Sequence, residues 1–235
     1  MRFKILTTVA IFISTMAGYA QVKSLDFALA AKNGVAPSFS FENKYNFGAK
    51  KRLSIAYGAR ANAYFGGATD YITAPALLTS GKRSLVAFFT EYKPDKLDTL
   101  RLSQTATFSL NSKLALAYNF KKSEIGFNID LFGFTFGGKQ TGVFQASESK
   151  SLNNLSVSAK PTLFNALLIS DSDRGSLNSE LYYKRYINEK SALRFGLSFQ
   201  FVEYTTDQIL TFENDRFRLK TLMPFVAYSF NPFKK

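Results

Sequence analysis

The sequence predicts an all-β chain: a closed antiparallel transmembrane β-barrel of about eight strands, ten if residues 84–92 add a further pair. Three observations predict it. Apolar and polar residues alternate with period two over long segments, as strands with two unlike faces require. Short polar turns alternate with long connections. Nothing after residue 20 approaches the roughly 18 uninterrupted apolar residues of a membrane-spanning helix, so any passage through a bilayer uses strands.

The elements follow in order. Arg2 and Lys4 give a positive start, residues 5–17 are mostly apolar, and Gly18-Tyr19-Ala20 places small residues at a cleavage site. This predicts a secretory signal peptide over residues 1–20 and a single barrel domain over 21–235. No cysteine follows the site, so lipid anchoring through cysteine is excluded. Leu25, Phe27 and Leu29 begin the first strand, which closes at Lys32-Asn33-Gly34. Pro37, Phe39, Phe41, Tyr45 and Phe47 oppose Ser38, Ser40, Glu42, Lys44 and Asn46. Residues 48–51 turn tightly into Leu53, Ile55, Tyr57, Ala59, Ala61, Ala63 and Phe65, which oppose a polar face carrying Arg60.

Residues 100–120 alternate without a slip in phase and predict one long strand that protrudes from the membrane. Residues 121–124 form the next tight turn, before Ile125, Phe127, Ile129 and Leu131, set against Gly126, Asn128 and Asp130. Leu177, Leu181, Tyr183 and Ile187 oppose Asn178, Glu180 and Lys184. Residues 188–190 turn into Leu193, Phe195, Leu197, Phe199 and Phe201, opposite Arg194, Gly196, Ser198 and Gln200. Leu222, Pro224, Val226, Tyr228 and Phe230 mark the last strand.

The long connections, residues 66–99, 137–175 and 205–215, alternate with the tight turns, as outer loops and periplasmic turns do in bacterial outer-membrane barrels. An even strand number closes the sheet and leaves no edge, which hydrocarbon demands. Both termini then lie in the periplasm. Tyr45, Phe47, Tyr118, Phe120, Tyr204 and Tyr228 stand near strand ends, where interface aromatics gather.

Composition excludes several functions. The chain has 235 residues, no histidine and no cysteine. A Ser-His-Asp or Cys-His nucleophile cannot be assembled, and imidazole–thiolate zinc sites are equally impossible. Outer-membrane acyltransferases and proteases use histidine, so no enzyme, no catalytic residue, no metal and no cofactor is expected. The formal charge is +13, and removing Arg2 and Lys4 with the leader lowers the 30 basic residues to 28 against 17 acidic. For an exported chain anionic lipid is a better partner than nucleic acid.

The C-terminal run Val226-Ala227-Tyr228-Ser229-Phe230 resembles the aromatic-ended last strand that outer-membrane barrels present to the barrel assembly machinery, although Asn231 to Lys235 follow it. The wider pattern resembles small outer-membrane β-barrel proteins of Bacteroidetes type. That resemblance implies residence in the cell outer membrane, with outer-membrane lipid and lipopolysaccharide as surroundings and Tyr228 and Phe230 as the assembly signal.

The mid-strand charges Glu42, Lys44, Arg60, Asp130, Glu180, Lys184 and Arg194 fall on the polar face. An eight-stranded barrel is just filled by its own side chains, so these are expected to pair into a plug. The chain then reads as a plugged scaffold displaying long outer loops. Two alternatives stand beside it: a narrow channel or transporter for small molecules, and a soluble exported lipid-binding barrel. Asp171-Ser172-Asp173-Arg174-Gly175 starts like a calcium loop, but its glycine comes fifth and its third carboxylate is missing; a polar outer loop is expected. Residues 66–98 are apolar enough for an ordered cap or an extra hairpin. Lys50, Lys51, Arg52, Lys121, Lys122, Lys234 and Lys235 cluster at the turns and the tail, as solvated turn residues or as contacts for anionic headgroups. The sequence carries no signal for an oligomeric state.

Overall fold

A computed structural model describes residues 21–80, 96–168 and 173–233. The expected signal peptide, the segment 84–92, Asp171, Ser172 and the tail Lys234-Lys235 lie outside the described residues.

Among the described residues thirteen strands form one antiparallel sheet, more than the eight to ten expected. Eight of them are long: β1 (Gln21–Ala31), β2 (Val35–Phe47), β3 (Leu53–Gly66), β6 (Thr105–Asn119), β7 (Ser123–Gly137), β11 (Asn178–Tyr186), β12 (Ser191–Thr206) and β13 (Arg216–Phe230). Each pairs with the next, and β13 returns to β1 with Leu25 opposite Phe230 and Ala30 opposite Phe225. The result is a closed ring, whose strands satisfy one another's backbone groups without leaving an edge.

The surplus consists of five short strands: β4 (Thr69–Thr73), β5 (Thr99–Leu102), β8 (Gln140–Gln145), β9 (Leu155–Pro161) and β10 (Phe164–Ala166). Four of these build a second, smaller ring on the outer ends of β12 and β13. Its order is β13, β4, β5, β8, β9, β12, closed by the β12–β13 pairing itself. The ordered element expected within residues 66–98 includes β4 and the short helix α1 (Ala76–Ser80). β10 lies instead on the outer part of β7, Phe164 opposite Phe134.

The expected single strand over residues 100–120 is two strands in two different rings. β5 pairs with β4 and β8, and β6 pairs with β3 and β7. The even-numbered apolar residues point inward in β5, where Leu100 and Leu102 are buried. They point outward in β6, where Phe108 and Leu110 are about half exposed. The alternation therefore continues unbroken through Ser103-Gln104 while the apolar face turns from inside to outside.

The two rings thus have opposite polarity. In the smaller ring Tyr71, Leu100, Leu102, Phe144, Val157, Ala159, Tyr204 and Phe217 form a packed apolar interior. Its outward positions include Asp70, Arg101, Ser156 and Lys160. In the larger ring charged and amide side chains are buried in the lumen, while Phe27, Leu110, Phe127, Leu181, Phe195 and Val226 are exposed around the outside. Tyr204, expected in an interface girdle, belongs to the core of the smaller ring instead, edge-on to Tyr71 at 5.4 Å between centroids. Its strand has already left the larger ring at that point. Tyr118, Phe120 and Tyr228 are exposed near the short-turn end.

Candidate functional site

The lumen of the larger ring is the most highly organised polar region. Strand alternation sends every second side chain inward, and the inward columns bring charges from seven strands to the axis. Among the described residues, Asp26, Glu42, Glu124, Asp130 and Glu180 face Lys44, Arg60, Lys113, Lys184 and Arg194, all buried. Five carboxylates meet five cations, so the lumen is formally neutral.

Two clusters share this charge. In the first, Arg194 donates to Asp26 at 2.8 Å and to Glu180 at 2.5 Å. Arg60 lies 3.2 Å from Glu180 and 3.3 Å from Asp130. Asn128 donates to Glu180 at 2.8 Å and accepts from Arg60. Asp130 also accepts from Asn111 at 2.9 Å and from the Asn178 backbone at 3.1 Å. Asp26 accepts a further bond from Ser229 and stands 4.0 Å from Lys184. In the second cluster Lys113 pairs with Glu42 and donates to Ser40 at 3.1 Å. Lys44 pairs with Glu124, which also accepts from Tyr182 at 2.8 Å and Tyr186 at 2.7 Å.

All seven sequence-derived lumen residues, Glu42, Lys44, Arg60, Asp130, Glu180, Lys184 and Arg194, lie in this network. Three further members were missed. Lys113 and Asp26 lie on the polar face of their strands, and strict alternation alone identifies them. The tight turn expected over residues 121–124 includes Glu124, but β7 already begins at Ser123, which makes Glu124 the first inward residue of that strand.

Backbone irregularities position the charges. Opposite β6, the register of β7 shifts between Ser112 and Lys113, so that Lys113 faces Asp130 and Ser112 faces Phe132. Leu131 is the extra residue of a β-bulge. Asp130 stands directly before it and is aimed at Arg60. Tyr182 fits the lumen because glycines flank it on both neighbouring strands, Gly126 on β7 and Gly196 on β12. A Cβ at Gly126 would lie 2.5 Å from the Tyr182 ring. The guanidinium of Arg194 stacks 4.3 Å from the same ring.

A second polar knot joins the β12–β13 hairpin to the loops beside it. Glu203 is fully buried and accepts from Arg216 at 2.9 Å and from Arg218 at 2.6 Å. The Asp173 carbonyl accepts from both arginines, and the Asp173 carboxylate accepts the Leu168 amide at 2.7 Å. Asp173 thus links Leu168 to the β12–β13 hairpin. Inside the smaller ring Tyr71 bonds Thr105 at 2.6 Å, and burial pushes its phenol above the ordinary value.

The wall of the larger ring has a shallow apolar cleft of about 150 Å³ where β11 begins, with Ile129, Leu167, Leu177, Phe199 and Phe201 among its lining. Above that level β7 pairs with β10, and the Phe201 amide bonds the Leu177 carbonyl at 2.8 Å. Tyr228 and Phe230 lie at the end of β13, the strand that closes the ring against β1. The Tyr228 hydroxyl is 2.8 Å from Ser191.

No family model matches the chain, and no curated protein matches it. Solved structures with some similarity include the Ralstonia pickettii toluene transporter TbuX, at 10% identity and a TM-score of 0.24 over 84% of this chain and 68% of that one. The CymD monoaromatic hydrocarbon channel matches at 10% identity and 0.21, over 90% and 87%. The Pseudomonas putida toluene transporter TodX matches at 8% identity and 0.23, over 89% of each chain. At scores this low we rest no part of the functional reading on them.

Proposed function

We propose that the chain is an outer-membrane β-barrel with a sealed lumen and a folded β-module on its outer end. The opposite polarity of its two rings carries this reading. A half-exposed Phe presents roughly 100 Å² of apolar surface. Six such residues in a continuous band exceed the few hundred Å² that soluble monomers usually expose. The smaller ring, with its apolar interior and polar exterior, suits water; the larger ring suits hydrocarbon.

In this reading the short turns, the start of β1 and the end of β13 face the periplasm, and the smaller ring faces outward. Outer-membrane lipid and lipopolysaccharide surround the apolar band. The barrel assembly machinery engages Tyr228 and Phe230, in keeping with the Bacteroidetes-type resemblance of the sequence. The chain performs no reaction. Its lumen charges act structurally, and the smaller ring is a rigid surface for a structural or interaction role. Conductance of the purified barrel in planar bilayers tests the sealed lumen: a silent bilayer is the expected result, and steady ion conductance would refute it.

The cleft below β10 favours a second reading, passage of small apolar molecules through the wall. Its lining is largely apolar and opens toward the lipid side at Phe199. The proteins named above as hydrocarbon transporters point the same way, without adding weight. Uptake of a small aromatic hydrocarbon into vesicles carrying the barrel separates the two readings.

A further inference from the structure

We infer that the short-turn end of the barrel carries a binding cleft for the phosphate of an anionic phospholipid. The inference rests on the membrane reading above and adds a ligand site to it. A cleft of about 1120 Å³ opens between the β6–β7 turn, the β11–β12 turn, the start of β1 and the residues that follow β13. Lys23, Lys121, Lys122 and Arg185 line it, and Glu189 is the one carboxylate among the described residues of its lining.

That imbalance contrasts with the lumen, where every acidic charge has a basic counterpart. Lys121, Lys122 and Arg185 are exposed and form no ion pair among the described residues. Four cations converging on one cleft raise its potential and attract an anion. Among the described lining residues Glu189 alone offsets this charge, which leaves the cleft with a positive excess.

The register indicates which anion. Arg185 sits opposite Ser123 on β7 and Leu193 on β12. The next outward row along the strands is Ile125, Tyr183 and Phe195. Arg185 therefore lies at the turn-side margin of the apolar band, in one row with the exposed Leu193, at the depth where a phospholipid headgroup meets its acyl chains. Val22, Ile187 and Phe233 line the same cleft, and Lys23 lies 5.5 Å over the Phe233 ring. A free phosphate would use only the cations. A phospholipid uses the cations for its phosphate and the adjoining apolar row for its chains.

The test is native mass spectrometry of the full barrel in detergent, comparing phosphatidylglycerol with phosphatidylcholine of the same chains. The triple variant Lys121→Gln, Lys122→Gln, Arg185→Gln is set against a control that removes equal charge at the far end, Lys139→Gln, Lys150→Gln, Lys160→Gln. Heat-shifted gel mobility confirms folding of each sample. The barrel is expected to retain phosphatidylglycerol preferentially, and the cleft variant to lose roughly tenfold or more of that preference, with the control unchanged. Equal loss in the control, no preference in the parent barrel, or displacement of the lipid by equimolar inorganic phosphate would overturn the inference. A chain that is soluble without detergent and shows no heat shift would instead refute the membrane reading beneath it.

Discussion

Arg194 offers the sharpest perturbation of the lumen. It is 2% exposed, donates to Asp26 at 2.8 Å and to Glu180 at 2.5 Å, and stacks on Tyr182. Glu180 keeps Arg60 and Asn128 when Arg194 is removed, but Asp26 keeps only Ser229 and a lysine at 4.0 Å. Arg194→Gln therefore leaves one uncompensated carboxylate in a lumen that was neutral. Breaking a buried pair by removing one partner costs about 3–5 kcal/mol. Asp26→Asn in the same chain removes the stranded charge and restores the balance. The double variant should recover at least about 2 kcal/mol of what Arg194→Gln loses, which is a coupling of the size contacting residues show. Guanidinium unfolding in lipid vesicles, followed by far-ultraviolet circular dichroism and by gel mobility, measures all four proteins. Additive losses, or an Arg194→Gln midpoint equal to that of the parent, would refute a dry, mutually paired lumen and indicate a hydrated pore.

Other expectations follow from single contacts. Gly126→Val forces a branched side chain into the Tyr182 ring and should cost about 1–3 kcal/mol in the same assay, whereas Gly138→Ala at an open position should cost little. Leu181→Arg places a charge between Phe127 and Leu197 on the outer face; folding into vesicles should weaken by about 2–4 kcal/mol, against almost nothing if that face met water. Burial keeps the Tyr71 phenol protonated in the folded state, so the unfolded chain loses its proton first. Stability should fall as pH rises above the ordinary phenol value of 10.0, and Tyr71→Phe should flatten that fall when unfolding is compared at pH 8 and pH 11.

Much of the larger ring was legible in the sequence, because a barrel wall with one apolar face writes period two over every strand. The columns carrying Glu42, Arg60, Glu180 and Arg194 are direct readings of that pattern. Less legible was the direction in which an apolar face points. Residues 100–120 keep one phase, but Leu100 and Leu102 face a protein core and Phe108 and Leu110 face outward, since alternation is blind to which side holds the apolar medium. The smaller ring was hidden for a related reason. Its strands of four to seven residues, such as Thr99–Leu102 and Leu155–Pro161, are too short to show a period and lie inside stretches that read as loops. The bulge at Leu131 did leave a trace: apolar residues move from odd to even positions across Leu131-Phe132, the phase change that an inserted residue produces. Partners across the lumen, such as Asp26 with Arg194, depend on barrel closure and not on local sequence.

The central claim is that the larger ring meets hydrocarbon on its outside. Envelope fractionation of the expressed chain, with the membrane extract run on a gel with and without boiling, tests it directly. The account predicts that the chain needs detergent for extraction and migrates differently once heated. Recovery in the soluble periplasmic fraction, with mobility unchanged by heat, would contradict it.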